Sequence, residues 1–245
     1  MIEPRPFLRT LFDAAVAAAV PENCLPSWLP TKPGGRVIVV GAGKAAASMA
    51  KELEKQWGGP LEGRIIVPYG HGTNCRWVQI IEASHPVPDQ AGLSAAAELL
   101  HSVSDLCAND TVVCLISGGG SALMCLPADG VSLAEKQTIT ADLLRSGAAI
   151  HEINCVRKKL SAIKGGKLAA ACMPASVITL VISDVPGNDI SMVASGPTIT
   201  DASTAGEALE ILHRYGIAIT RDTRAVVEAS RPVFIADGDV RILAT

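Results

Sequence analysis

Aromatic residues are scarce in this chain: Phe, Trp and Tyr make up 3% of its 245 residues, although the hydrophobic share is 49%. Ala, Val, Leu and Ile must therefore fill the core, and we expect helices that lie close to a sheet. The length suits one large α/β domain, or one domain and the start of another.

Long apolar runs and an excess of basic charge are also missing. No segment reaches the roughly 18 uninterrupted apolar residues that a membrane span needs. The apolar run 11–20 is interrupted by Asp13, so it favours a helix over a signal peptide. The net charge is −3 and most basic residues are dispersed, which argues against a broad nucleic-acid-binding face. We therefore expect neither a membrane nor a nucleic-acid partner.

The seven cysteines lack the spacing of a zinc site, and their odd number does not suit a disulfide framework. Cys107, Cys114, Cys125 and Cys172 lie in apolar stretches. We interpret them as reduced core thiols, which indicates a cytoplasmic protein.

Strand and helix patterns alternate along the chain, as in βαβ units. The predicted fold is α/β and Rossmann-like: a doubly wound, mostly parallel sheet with helices on both faces. Strands are predicted at 36–40, 64–67, 78–82, 111–116, 177–182 and 240–243. Helices are predicted at 6–19, 44–56, 90–103, 133–145, 149–159, 168–172, 204–215 and 223–229. Asp89 and Ser132 are expected to cap helices, with Glu135 completing a capping box after Ser132.

A glycine-rich loop, residues 117–121, follows the fourth predicted strand directly. It reads Ser117, Gly118, Gly119, Gly120, Ser121. Backbone N–H groups without side chains in front of them form a concavity that suits an anion, above all a phosphate. The loop therefore predicts a phosphate site.

Two further strand ends carry polar residues of the same kind. Gly41, Gly43 and Lys44 follow the first strand, and Asp184 follows the fifth. Ligands of an open parallel sheet bind beyond the carboxyl ends of its strands, so we expect one shared site. Lys44 is a compact point charge suited to a phosphate or a carboxylate.

Residues 41–46 also match the G-x-G-x-x-A pattern of dinucleotide-binding proteins. That pattern requires an acid at the end of the next strand to hold the ribose. Here the next strand ends at Pro68 and Tyr69, and Glu62 precedes it. A nicotinamide-dependent reductase is therefore the weaker alternative.

Three other features have two interpretations each. Arg157 to Lys167 contain five cations, which suit either a solvated helix face or a close backbone approach at the glycines after Lys164. Asp184 and Asp189 are suitable Mg²⁺ ligands, although Asp189 could simply cap a helix. His85 could serve as a base, as a substrate contact or as a structural residue.

Several of these segments together resemble the glycerate 2-kinase family, whose members carry a C-terminal domain called MOFRL. The matching segments are 41–46, 84–89, 116–123, 154–166 and 183–198. The resemblance implies phosphorylation of D-glycerate at its 2-hydroxyl by ATP with Mg²⁺, and the family's catalytic lysine matches Lys44. Lys159 departs from the family pattern, in which a histidine is expected.

The resemblance also implies the domain organisation, and together with the motifs above it leads to a role for each candidate site residue. Residues 1–235 would form the N-terminal α/β domain, and 236–245 would begin a connection to a MOFRL domain that the chain lacks. Glycerate and ATP would be the small-molecule partners, and homodimer formation stays open. The assigned roles are: catalytic, Lys44 and Asp189; nucleotide-binding, Gly41, Gly43, Ser117, Gly118, Gly119, Gly120 and Ser121; substrate clamp, His85, Arg157 and Lys164; metal, Asp184 and Asp189. A different alternative is a catalytically silent fragment that binds phosphate ligands.

Overall fold

A parallel sheet of six strands forms the centre of the fold. The structure is a computed structural model that describes residues 3–187, 189–235 and 238–245. The strand order is β3-β2-β1-β4-β5-β6, and every neighbouring pair is parallel. The strands are β1 (Val37–Ala42), β2 (Glu62–Pro68), β3 (Gln79–Ala83), β4 (Thr111–Ser117), β5 (Ser176–Ile182) and β6 (Asp239–Ala244). The predicted α/β fold is confirmed, and the sheet is parallel throughout.

The strand order reverses between β1 and β4, which lie side by side although β2 and β3 separate them in sequence. A crevice opens at such a switch point, beyond the carboxyl ends of the two strands. The loops after β1, β4 and β5 therefore meet at one edge of the sheet, as the sequence predicts.

The ten α-helices of the described chain largely follow the predicted pattern. They are α1 (Pro4–Ala19), α2 (Pro21–Cys24), α3 (Ala46–Trp57), α4 (Gln90–His101), α5 (Gly120–Leu123), α6 (Leu133–Arg145), α7 (Ile150–Lys159), α8 (Lys167–Cys172), α9 (Ala205–Arg214) and α10 (Arg221–Ala229). One junction is wrong in the prediction: β1 continues through Ala42 and α3 begins only at Ala46. Lys44 therefore lies in the turn between them.

Each face of the sheet has its own apolar core, because successive strand side chains point in opposite directions. Val40 and Cys114 belong to the core beneath α4 and α8. Val39 and Leu115 belong to the core beneath α3. Helices thus cover both faces, as predicted.

Four helices, α6, α7, α9 and α10, share a third core of their own. Glu152 of α7 links two of them, because its carboxylate accepts hydrogen bonds from Arg214 and from the Tyr215 hydroxyl. Ser132 caps α6 as predicted. The capping box is wrong, since the Glu135 carboxylate accepts from Thr220 instead. This helical layer was not predicted as a separate unit.

The C-terminal segment forms a strand where the sequence predicts one, at 240–243. Asp239–Ala244 form β6, which pairs with β5 at the edge of the sheet. Val240 and Leu243 pack against opposite cores, which explains why this run is a strand. The boundary itself, at 235 and 236, touches residues outside the described ranges, and a further domain stays a prediction.

Within the described ranges, the helices are too short or too polar to cross a membrane. All seven cysteines are free thiols. Cys114, Cys125 and Cys172 are buried as predicted, but Cys107 is exposed, because it lies in the turn that precedes β4.

Candidate active site

The loops after β1 and β4 are hydrogen-bonded to each other at the switch point. The Lys44 amide donates to the Gly118 carbonyl at 2.9 Å, and the Ala45 amide donates to Ser117 Oγ at 3.0 Å. A Cβ at Gly43 would lie 2.2 Å from Ser117 Oγ, so only glycine permits this approach. Ser117 and Gly43 therefore hold the two loops together, and their predicted contact with a nucleotide stays a prediction.

Gly41 lies inside β1, between β2 and β4, and not in the loop that was predicted to begin there. Its φ is +151°, and a Cβ would lie 1.9 Å from the Leu115 carbonyl oxygen. The strand pairing itself thus requires glycine at this position, without any ligand.

Asp184 approaches the glycine-rich loop from the end of β5. A Cβ at Gly118 would lie 2.0 Å from Asp184 Oδ2, so the absence of a side chain there makes room for the carboxylate. Asp184 is exposed. No described residue donates a hydrogen bond to its carboxylate, which leaves both oxygens available to a ligand.

Lys44 and His85 converge on Gly119 in the middle of the loop. Gly119 has a φ of +89°, and a Cβ there would lie 3.0 Å from His85 Nε2 and 3.6 Å from Lys44 Cε. Burial lowers the pKa of His85, the Lys44 ammonium lowers it further, and Asp184 opposes the shift. The direction of this shift favours the neutral imidazole, which is the form able to accept a proton.

His71 also joins this cluster, although the sequence reasoning did not single it out. Its Nδ1 lies 3.3 Å from the Lys44 carbonyl oxygen, and its charge acts on His85. The signal was its place in the loop after β2, which ends at the same edge of the sheet.

Ser121 starts a buried polar chain that leads away from the loop. Its Oγ lies 2.6 Å from Ser195 Oγ, and Ser195 Oγ donates to Asn154 Oδ1 at 3.1 Å. Ala194 and Ser195 both have positive φ, 51° and 62°. Such backbone is costly outside glycine and collects at functional sites. The sequence analysis gave neither Ser195 nor Asn154 a role in the site.

The five cations between Arg157 and Lys167 do not form a solvated face. Lys158, Lys159 and Lys164 are buried. Lys159 Nζ lies 2.9 Å from Asp201 Oδ2 and Lys158 Nζ lies 3.5 Å from Asp201 Oδ1. The close backbone approach is confirmed at the glycines, since the Gly165 amide donates to the Ser195 carbonyl at 3.1 Å. The unusual lysine at 159 is thus explained by an ion pair.

Among the described residues, the ammonium group of Lys164 contacts backbone carbonyls and no acid. Its Nζ donates to the Ser121 and Met124 carbonyls at 2.8 and 3.2 Å, and its side chain is 1% exposed. Burial holds its pKa well below the usual value of a lysine. Lys164 therefore holds α5 in place next to the glycine-rich loop.

Two cavities adjoin the loop and share Ser121 and Arg157 in their walls. The first, which we call the Asp184 cavity, has a volume of about 310 Å³ and is lined also by Gly119, Asn154 and Asp184. The second, the α6 cavity, has about 370 Å³ and lies between residues 86–88 and α6. Predicted site residues thus line both spaces.

Asp189 uses one carboxylate oxygen to fix its own turn. Its Oδ1 accepts from the Ser191 amide at 2.9 Å. This bond closes a turn and does not cap a helix, because the helical turn that follows, Val193–Ser195, has Met192 at its N-cap. In the part of the chain that the structure describes, no three His, Cys, Asp or Glu residues are grouped to hold a metal. The Asp184 and Asp189 pair and the catalytic role of Asp189 stay predictions, and Asn188 between them lies outside the described residues.

The chain is similar to known proteins over nearly its whole length. It matches the family model described as "Domain of unknown function (DUF4147)" over residues 7–228. It is 46% identical to a protein of Agrobacterium vitis named putative hydroxypyruvate reductase, over 99% of this chain and 56% of the relative. It is 40% identical to the D-glycerate 2-kinase of Thermotoga maritima, over 94% of this chain and 55% of that enzyme.

The crystal structure of glycerate kinase from Thermotoga maritima has the same fold. It superimposes with a TM-score of 0.90 at 39% identity, over 95% of this chain and 56% of that one. This chain spans about half the length of the curated relatives it matches. The chain belongs to the DUF4147 family and corresponds to the N-terminal part of glycerate kinases, which confirms the resemblance.

Proposed function

We propose that this member of the DUF4147 family provides the nucleotide-binding half of a D-glycerate 2-kinase. The observation that carries the proposal is the convergence of Lys44, His85 and Asp184 on Gly118 and Gly119 at the switch point of the sheet. One cation, one neutral base and one carboxylate without a described donor thus surround a loop whose backbone suits phosphate groups.

In the proposed reaction, the 2-hydroxyl oxygen of D-glycerate forms a bond to the γ-phosphorus of ATP. The bond between that phosphorus and the oxygen bridging to the β-phosphate breaks, and ADP leaves with the electron pair. His85, as a neutral imidazole, would take the hydroxyl proton. Lys44 would offset the negative charge of the transferring group, because phosphoryl transfer depends mainly on positioning and charge stabilisation.

Asp184 would hold a Mg²⁺ ion together with the nucleotide, and that ion would supply positive charge to the phosphates of ATP. Mg²⁺ is usually held by one or two carboxylates together with substrate phosphates. Asp184 fits this role, because its carboxylate faces the loop at Gly118 and accepts no hydrogen bond from a described residue. The residues present therefore suit a metal that arrives with the nucleotide.

The reductase alternative lacks support from the geometry around β2. This strand ends at Pro68 without an acid that could hold a ribose. Glu82, at the end of β3, is used locally, since it accepts from the Gly70 and Gly72 amides at 3.2 and 2.9 Å. The observation in favour of a reductase is the name of the Agrobacterium relative, putative hydroxypyruvate reductase. The binding experiment described below therefore includes NADH.

Replacing Lys44 tests the proposal. We expect Lys44→Ala to weaken ADP binding by ten- to a hundredfold, because a charge-assisted hydrogen bond contributes about 1.5–3 kcal/mol. Isothermal titration calorimetry of the 245-residue chain with ADP and Mg²⁺ measures this. Lys51→Ala, which removes an exposed lysine of α3, is the matched control.

Phosphoryl transfer is then followed as glycerate-dependent release of ADP, with 2-phosphoglycerate identified by NMR. Unchanged ADP affinity in Lys44→Ala, or binding of NADH in place of ADP by the unaltered chain, would contradict the proposal.

A further inference from the structure

Besides the exposed Arg145, which pairs with Asp142, three cations line the α6 cavity: Lys136, Arg157 and Lys164. Lys136 and Lys164 are 3% and 1% exposed. Lys136 was not singled out in the sequence, because a lone lysine in an amphipathic helix is normally solvated. The side chain of Lys136 nevertheless extends from α6 toward Leu126 and is buried.

None of these cations is paired with an acid in the described part of the chain. Lys136 Nζ donates to the Leu126 carbonyl at 3.2 Å, and Lys164 donates to two carbonyls. Arg157 makes no hydrogen bond or ion pair with a described residue. Buried charges in proteins are normally paired, so this wall has an uncompensated positive charge.

The electrostatics agree with this geometry. The pKa of Lys136 is lowered to about 8, mainly by burial and also by the charges of Arg157 and Lys167, while Cys125 acts in the opposite sense. Burial also lowers the pKa of Arg157. An anion in the cavity would reverse these shifts and offset the cost of burial.

The remainder of the cavity is suited to an organic molecule. Its volume of about 370 Å³ lies in the range of small-molecule sites. Val87 and Leu144 line it and are 62% and 59% exposed, so they form an apolar rim. Gln137 closes one side, because its amide donates to the Pro88 carbonyl at 2.7 Å.

We infer that the α6 cavity is a binding pocket for the anionic group, a carboxylate or a phosphate, of a small organic molecule, with Lys136, Arg157 and Lys164 as the recognising cations. Ser121 and Arg157 line the Asp184 cavity too, so a ligand held here would lie next to the cavity that contains Asp184. The anion could come from the acceptor acid or from the nucleotide. The inference does not require phosphoryl transfer to occur.

Calorimetry of the 245-residue chain with D-glycerate, ADP and inorganic phosphate tests this pocket. In Lys136→Met we expect the affinity for at least one of these probes to fall at least tenfold. The methionine preserves most of the side-chain volume, and the Leu126 carbonyl keeps Ser161 Oγ and the Ala162 amide as donors, so the variant should fold. Lys51→Met is the matched control and should bind as the unaltered chain does.

The probes distinguish the source of the anion. A loss confined to D-glycerate identifies a carboxylate pocket, and a loss confined to ADP and phosphate identifies a phosphate pocket. Equal affinities in Lys136→Met, Arg157→Met and the unaltered chain, for all three probes, would overturn the inference. Failure of the Lys44→Ala test alone would leave this result intact, since Lys44 does not line the α6 cavity.

Discussion

Two groups of buried cations lie close together in sequence and differ in what balances their charge. Lys158 and Lys159 share the carboxylate of Asp201. Lys136, Arg157 and Lys164 face a cavity and have no acid partner among the described residues. A buried cation beside a carboxylate is already satisfied by the fold, whereas a buried cation beside a cavity remains available to an external anion.

The largest expected effect is at Asp201. We expect Asp201→Asn to lower the free energy of unfolding by about 3 kcal/mol, because Lys159 is 1% exposed and would keep a buried charge without a counter-charge. Urea unfolding at pH 7 measures the loss. Asp142→Asn is the control: its partner Arg145 is exposed, so the cost should stay below about 1 kcal/mol.

The pH dependence of stability gives a second readout of the Asp201 ion pair. Burial alone would raise the pKa of Asp201, but hydrogen bonds from Lys159 and Ser203 and the charges of Lys158 and Lys159 outweigh it and hold the pKa below 3.8. The unfolded chain then binds a proton first as the pH falls, so the stabilisation is present above about pH 4 and is lost as the pH falls through the native pKa. Asp201→Asn should lack this acid-side slope, and an unchanged slope would contradict the assignment.

Replacing Lys136 should have the opposite effect on stability from replacing Asp201. We expect Lys136→Met to stabilise the ligand-free chain at pH 7 by up to about 3 kcal/mol, because a pKa of about 8 in place of 10.5 means that burial disfavours the charged form. The unfolded chain binds more protons between pH 8 and 10.5, so this contribution raises stability with pH over that window. Arg157, Lys164, Lys167 and Cys125 are the titratable or charged groups that act on Lys136.

Urea unfolding of Lys136→Met and of the unaltered chain at pH 7 and pH 9.5 checks this. The difference in the free energy of unfolding between the two proteins should be larger at pH 7 than at pH 9.5. A saturating concentration of the probe that binds (D-glycerate, ADP or inorganic phosphate) should reduce this difference. A variant that is less stable at both pH values would show that Lys136 serves the fold and not a ligand.

Most of the sheet could be predicted from sequence because each strand is a short apolar run that ends at a polar loop. The junctions at Lys44, the glycine-rich loop and Asp184 therefore converge as expected. The glycines were less informative: Gly41 and Gly43 serve close backbone packing, and a sequence pattern cannot distinguish this from phosphate contact.

The charges of the helical layer could not be predicted in the same way. Asp201 is 42 residues from Lys159 along the chain, and no local sequence pattern indicates that the two side chains form an ion pair. Lys136 and Arg157 lie on different helices, α6 and α7, that happen to face one cavity. Which buried cation finds an acid depends on tertiary packing, and this decides between a structural and a binding role.

The smallest expected effect concerns Asp184, the carboxylate at the other cavity. Gly118→Ala should move it, because a Cβ would lie 2.0 Å from Oδ2. Gly118 does not have a positive φ, so the backbone tolerates alanine and the free energy of unfolding should change little.

If Asp184 holds Mg²⁺ with the nucleotide, the affinity of Gly118→Ala for ADP in the presence of Mg²⁺ should fall about tenfold, or about 1.4 kcal/mol. Its affinity for ADP in EDTA should not fall. Gly59→Ala, where a Cβ meets nothing within 4 Å, is the control. An equal loss with and without Mg²⁺ would mean that the substitution disturbs the loop itself, and that Asp184 does not act through a metal.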